Sequence, residues 1–150
     1  MTRQIAGLGL PILLIASGCR SPSAAAAQEA AVSFLLKLPA RKQVVCISIA
    51  AGPGDRDQRL VIRNLADPPP AFLARVSAND LDVRPLSACS AQGRPETVLR
   101  VGWPVATTDG FDVPVDMICG PVGCDRGYVV QIKKTPAGLR GVSARTTWVS

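Results

Sequence analysis

Histidine is absent from the chain, and this absence removes several function classes at once. Ser-His-Asp and Cys-His nucleophilic sites need an imidazole base, and metalloprotease motifs and many other metal sites use imidazole nitrogens. Aromatic residues are few: Phe34, Phe72, Phe111, Trp103, Trp148 and Tyr128. The core must therefore be built from Val, Leu, Ile and Ala. The interleaved aromatics on which bases stack are missing, so nucleic acid is not an expected partner. No apolar run approaches the about 20 residues that a membrane-spanning helix needs. Lysine is scarce as well, four against thirteen arginines, within a net charge of +6. Basicity of this kind suits anionic neighbours such as lipid headgroups or cell-wall polymer. A spread of arginines over a solvated surface is the commoner reading.

What is present describes one domain with its own core, since 150 residues are 47% hydrophobic. The chain starts with Arg3 in a short basic segment, followed by an apolar run over Ile5–Ala16 and then small residues. That order is the pattern of a secretory signal peptide. It ends in Ala16, Ser17, Gly18 and Cys19, a run that resembles the lipobox of bacterial lipoproteins, with Ala16 standing where that family prefers Leu. The resemblance covers residues 1–20. It implies that residues 1–18 are a signal peptide removed on export, and that Cys19 carries diacylglycerol and anchors the protein in a membrane. Arg20, not Asp, follows the cysteine, which in lipoproteins of enteric bacteria implies passage to the outer membrane. Residues 19–26, rich in Ser, Pro and Ala, then read as a flexible tether, and residues 27–150 as a single domain. The alternative is an ordinary cleaved signal: Ala25, Ala26 and Ala27 satisfy the small-x-small rule and would release a soluble protein starting at Gln28.

Five cysteines make an odd number. Setting Cys19 aside leaves Cys46, Cys89, Cys119 and Cys124, an even set suited to two disulfides in an oxidising compartment. Three pairings are possible. Cys119 and Cys124 flank Gly120, Pro121, Val122 and Gly123, a hairpin connection, so the favoured pairing joins them and leaves Cys46 with Cys89. A redox pair would have two residues between its cysteines at a helix start. Zinc-binding pairs show a similar spacing, and neither pattern occurs here.

Periodicity predicts an α+β fold. Ala24–Leu38 has helical spacing, with Ala27, Ala30, Ala31, Phe34, Leu35 and Leu38 on the core side. Gln28, Glu29, Ser33 and Lys37 fall on the polar side, and Pro39 ends the helix. Gln43–Ala50 is apolar on both faces, which predicts a central strand. Arg59–Asn64, a short helix over Ala71–Val76 capped by Asp67, and Leu81–Leu86 predict a small βαβ unit whose two strands are parallel. Glu96–Ala106 begins a mainly antiparallel sheet, bent at Gly102, Trp103 and Pro104. Phe111–Ile118, Gly127–Lys133 and Leu139–Val149 then form a C-terminal three-strand meander, the last turn being type I over Thr135, Pro136, Ala137 and Gly138. The cysteine-bearing front strand, Ser87-Ala88-Cys89, the Cys119–Cys124 hairpin and the end Thr147-Trp148-Val149-Ser150 together resemble small bacterial envelope proteins, a likeness that brings no activity with it. The order of helix first and curved sheet last is similar to cystatin-like folds, as an analogy of fold alone.

Catalytic signals are thin. Asp80 and Asp82 lie at alternate positions, and Asp109, Asp112 and Asp116 surround the first meander strand. Paired carboxylates do general acid–base work only when their environments separate their pKa values. Gly52 and Gly54 lack the Lys-Ser or Lys-Thr that completes a phosphate-binding loop. No cofactor motif is present. Arg41, Lys42, Arg56, Arg59, Arg63, Lys133 and Lys134 supply the basic surface. The expectation is a membrane-anchored, non-catalytic binding or structural module of the cell envelope. A small carboxylate-dependent hydrolase or sugar-acting enzyme is the alternative.

Overall fold

In the computed structural model the described residues are 23–38, 44–53, 62, 64–77, 81–89, 97–119 and 125–150. Two helices, α1 (Ala24–Leu35) and α2 (Pro70–Val76), pack on one mixed, mainly antiparallel sheet. Its strands are β1 (Val44–Ala50), β2 (Leu65–Ala66), β3 (Asp82–Pro85), β4 (Thr97–Val101), β5 (Val105–Ala106), β6 (Gly110–Ile118), β7 (Arg126–Thr135) and β8 (Gly138–Val149). The order across the sheet is β2-β1-β4-β6-β7-β8, with β3 beside β1 and β5 beside β6. The protein is thus α+β and closes with the β6-β7-β8 meander.

β1 is central because both of its faces are buried. Val45, Ile47 and Ile49 join Leu99, Val101, Val113, Val115, Val130 and Ile132 under the helices. Burying one such side chain stabilises by roughly 1.5–3 kcal/mol. The opposite face of β1 holds Cys46, Ser48 and Ala50, also buried. A disulfide ties Cys46 to Cys89 just after the 3-10 turn Leu86–Ala88, with Cα atoms 6.1 Å apart. Cys119 is disulfide-bonded too, while Cys124 and the hairpin turn before it lie outside the described residues. So do Cys19 with the signal segment, the tether up to Ser21 and Pro22, Arg59, Leu60 and Val61 with Arg63, and Asp80.

The break between β4 and β5 falls at Gly102, Trp103 and Pro104, as the sequence predicts. The Gly102 N–H donates to Pro114 O at 2.7 Å there, and both short strands pair with β6.

Three expectations are corrected. First, α1 is rotated about its axis. Ala27, Ala31 and Leu35 are buried as predicted, but Gln28 and Val32 complete the buried stripe, Ala30 and Phe34 are only half-buried, and Leu38 is exposed. The cause is Gln28. Its Nε2 donates to Ala50 O at 3.0 Å and Gly102 O at 3.1 Å, satisfying two strand-end carbonyls that would otherwise be buried unpaired. The helix begins at Ala24, as its spacing predicts, capped by Ser23 Oγ, and so overlaps the last residues of the expected tether.

Second, β3 pairs in parallel with β1, whereas the strand expected over residues 59–64 lies mostly outside the described residues. β2 lies antiparallel on the same side of β1, further along it. The crossover through α2 therefore starts from the central strand. Third, Asp67 does not cap α2, whose N-cap is Pro69. Its carboxylate instead accepts from the backbone N–H of Ser87 at 3.1 Å and from the Ser87 hydroxyl.

Candidate functional site

Both helices lie on one side of the sheet, and among the described residues no element covers the other side over β4, β6, β7 and β8. Strand register places one residue from each of five strands in a single row across this face: Ser48, Arg100, Asp116, Gly127 and Trp148. Neighbours in such a row are about 4.8 Å apart, so the row spans roughly 19 Å. The residues are scattered over a hundred positions of sequence, and pairing alone brings them together.

Each member has a distinct environment. Trp148 folds back over Gly127, where an added Cβ would lie 2.0 Å from the indole nitrogen. Only glycine leaves room for the ring to lie on the strand. The indole Nε1 then donates to Asp116 Oδ1 at 3.2 Å. Burial pushes the Asp116 carboxyl above its ordinary value, opposed by the Trp148 hydrogen bond and by the field of Arg100. Arg100 is exposed.

At the other end Ser48 is buried, and its hydroxyl has no hydrogen-bond partner. It lines a hollow of about 340 Å³ together with Leu65, Ala66, Asp67, Leu86 and Ser87. The Ser87 side-chain hydroxyl, then its backbone N–H, hold the Asp67 carboxyl below its ordinary value. The face therefore presents the exposed Arg100 guanidinium and the Trp148 indole beside the Asp116 carboxyl, with the buried Ser48 hydroxyl at one end.

The predicted carboxylates are kept apart by this arrangement. Asp82 is paired with Arg84 at 2.5 Å, and Asp109 with Lys133 at 3.2 Å. Asp112 and Asp116 share a face of β6 four residues apart, about 13 Å at the strand rise. That exceeds the roughly 5–9.5 Å over which two carboxyl groups cooperate on a glycosidic bond. Of the predicted basic set, Lys134 sits 5.9 Å from the Phe111 ring centre, and the five arginines and lysines from Arg41 to Arg63 lie outside the described residues. Gly52 lies in a bend just after β1, and Gly54 lies outside the described residues. Among the described residues no group of three or more Cys, Asp or Glu is placed to hold a metal ion.

Arg100, Gly127 and Trp148 were not legible as a site. Gly127 reads as a strand start and Trp148 as a chain end, and only register joins them. The one available signal was a Trp on the last strand of a sheet with an open face. Comparison of the chain with protein-family models, with curated proteins and with solved structures finds no match.

Proposed function

We propose that the chain is a lipid-anchored lipoprotein of the bacterial cell envelope, held at the membrane through Cys19, with a domain that binds or spaces and does not catalyse. The observation that carries the export half is the Cys46–Cys89 bridge, since disulfides persist in oxidising compartments and are rare in the cytosol. The short apolar run ending at Gly18-Cys19 supports the anchor. Arg20 after the cysteine favours the outer membrane, on its periplasmic side. Two acyl chains or more, at about 0.8 kcal/mol per buried methylene, hold a domain stably at a bilayer. The open face, with Trp148, Asp116 and Arg100 in one row, supports a binding role. Anionic lipid or cell-wall polymer is the neighbour that the net charge of +6 suits.

Expression of Cys19→Ser alongside the natural chain tests the reading. The natural chain is expected in the membrane fraction, with acyl mass on a mature N-terminus at Cys19. The variant is expected to be soluble or unprocessed. Membrane association of Cys19→Ser, with processing at the same bond, overturns it.

A further inference from the structure

Among the described residues β8 is the last strand of the sheet, an open edge of 12 residues. Only Leu139 and Gly141 on it are half-buried; every other residue is exposed. Of the four large apolar side chains that stand exposed among the described residues, three are on this strand: Val142, Trp148 and Val149. Sheet edges of this length present unpaired N–H and C=O groups to any strand that can dock. Of the usual protections β8 carries two arginines and two bulges but no proline and no lysine.

The helix makes the edge into a groove. α1 packs chiefly on β8, where Phe34 rests on Gly141; a Cβ there would meet Phe34 Cβ at 2.5 Å. Because Gln28 turns α1 about its axis, Ala30 and Phe34 are left half-buried and face this strand. A hollow of about 290 Å³ runs between them, lined by Ala30, Phe34 and Lys37 on one side and Leu139, Arg140 and Gly141 on the other. A strand edge floored by backbone and walled by a helix is the geometry in which an extended peptide adds as one more strand.

Charge selects the occupant. The bulge at Val142 shifts the alternation, so Arg140 and Arg145 sit opposite Lys133 and Val129 on one face. Neither arginine, nor Lys37, has a carboxylate partner among the described residues, whereas Glu29 is already held by Arg75 at 2.6 Å. A second copy of β8 would bring the same two arginines onto that face, and like charges across strands repel.

We infer that β8 and α1 form a docking groove for an extended segment of a partner protein that alternates acidic and small apolar residues. The segment's backbone completes the β8 edge. Its apolar side chains enter beside Ala30 and Phe34, and its acidic side chains face Arg140 and Arg145. The inference stands independently of the lipid anchor.

The test uses the full chain and two synthetic seven-residue probes, one alternating Glu and Val and the other alternating Lys and Val. The Glu-Val peptide is expected to bind and to slow amide hydrogen exchange along residues 138–149. Arg140→Glu with Arg145→Glu is expected to weaken that peptide at least about tenfold and to reverse the preference toward Lys-Val, since two ion pairs are lost and two repulsions added. The reversal shows that the double variant is folded. Equal binding of both peptides by the natural chain overturns the inference. So does the absence of protection on β8 at millimolar peptide. So does β8 protection that rises with protein concentration alone, which marks self-association.

Discussion

The two edges of the sheet are built on opposite plans. At one edge the strands are short, two residues in β2 and four in β3, with Pro85 closing the latter. This edge is also tied down covalently, since Cys89 leaves β3 through a 3-10 turn and bonds to Cys46 on β1. At the other edge β8 runs for 12 residues with no such tie. A short, proline-ended, bridged edge offers little to a docking strand, whereas a long one offers a row of free amides. The difference teaches where association is permitted: the chain closes one side of its sheet and leaves the other available.

The largest effect should come from opening the closed edge. Replacing Cys46 and Cys89 together by Ala frees a loop spanning 43 residues, and the chain-entropy model assigns about 4 kcal/mol to it. Urea unfolding of the double variant against the natural chain measures it. A loss below about 1 kcal/mol would mean that the short strands hold this edge by themselves.

A smaller effect is expected at the open edge. Gly141→Ala places a methyl group 2.5 Å from Phe34 Cβ, so α1 must shift off β8, at a cost of about 1–3 kcal/mol for overpacking. The same urea unfolding reads it. Phe34→Gly, which removes the Cβ that alanine would keep, combined with Gly141→Ala should cost less than the sum of the two single changes if the clash is the cause, since contacting positions are not additive.

The smallest effect concerns pH, in the row that reaches β8 through Trp148. Burial raises the Asp116 carboxyl above 3.8. Its contribution to stability is therefore complete below the unfolded value and is lost as pH rises through the raised folded value. Asp116→Asn removes that loss. It should be at least as stable as the natural chain at pH 7, with the difference fading below pH 3.8. Asp67 has the opposite sign, because Ser87 lowers its carboxyl from 3.8. Its contribution is present above 3.8 and is lost as pH falls through the lowered folded value. If Asp116→Asn is less stable at pH 7, attraction to Arg100 and the indole hydrogen bond outweigh burial.

The meander was legible because its strands are local: turn residues at Thr135–Gly138 and alternation in Val130 and Ile132 act between neighbours in sequence. Gly138 has φ of 114°, the backbone that a glycine closing a type I hairpin turn supplies. The central position of β1 was legible too, from apolar residues on both faces. The rotation of α1 was not. Helical spacing in Ala27–Leu38 allows two overlapping apolar stripes, and the choice between them is made by Gln28 meeting carbonyls 22 and 74 residues away. The βαβ unit itself was legible, since β1 and β3 are parallel with α2 between them, but its first strand was not. Sequence shows that a helix separates two extended segments, but not which earlier strand the later one joins.

The sequence alone determined the α+β class, the bend at Gly102–Pro104 and the expectation of export. It also made Cys46 and Cys89 the favoured bridge, since proximity in the hairpin is expected to join the other two cysteines. These properties follow from period, turn chemistry and cysteine spacing, all of which act over short separations. Only the tertiary structure decided the row Ser48, Arg100, Asp116, Gly127 and Trp148, the half-open stripe of α1 and the groove beside β8. Each depends on strand register and on which carbonyls a buried amide reaches. Those are long-range pairings, and their partners exist only once the sheet has closed.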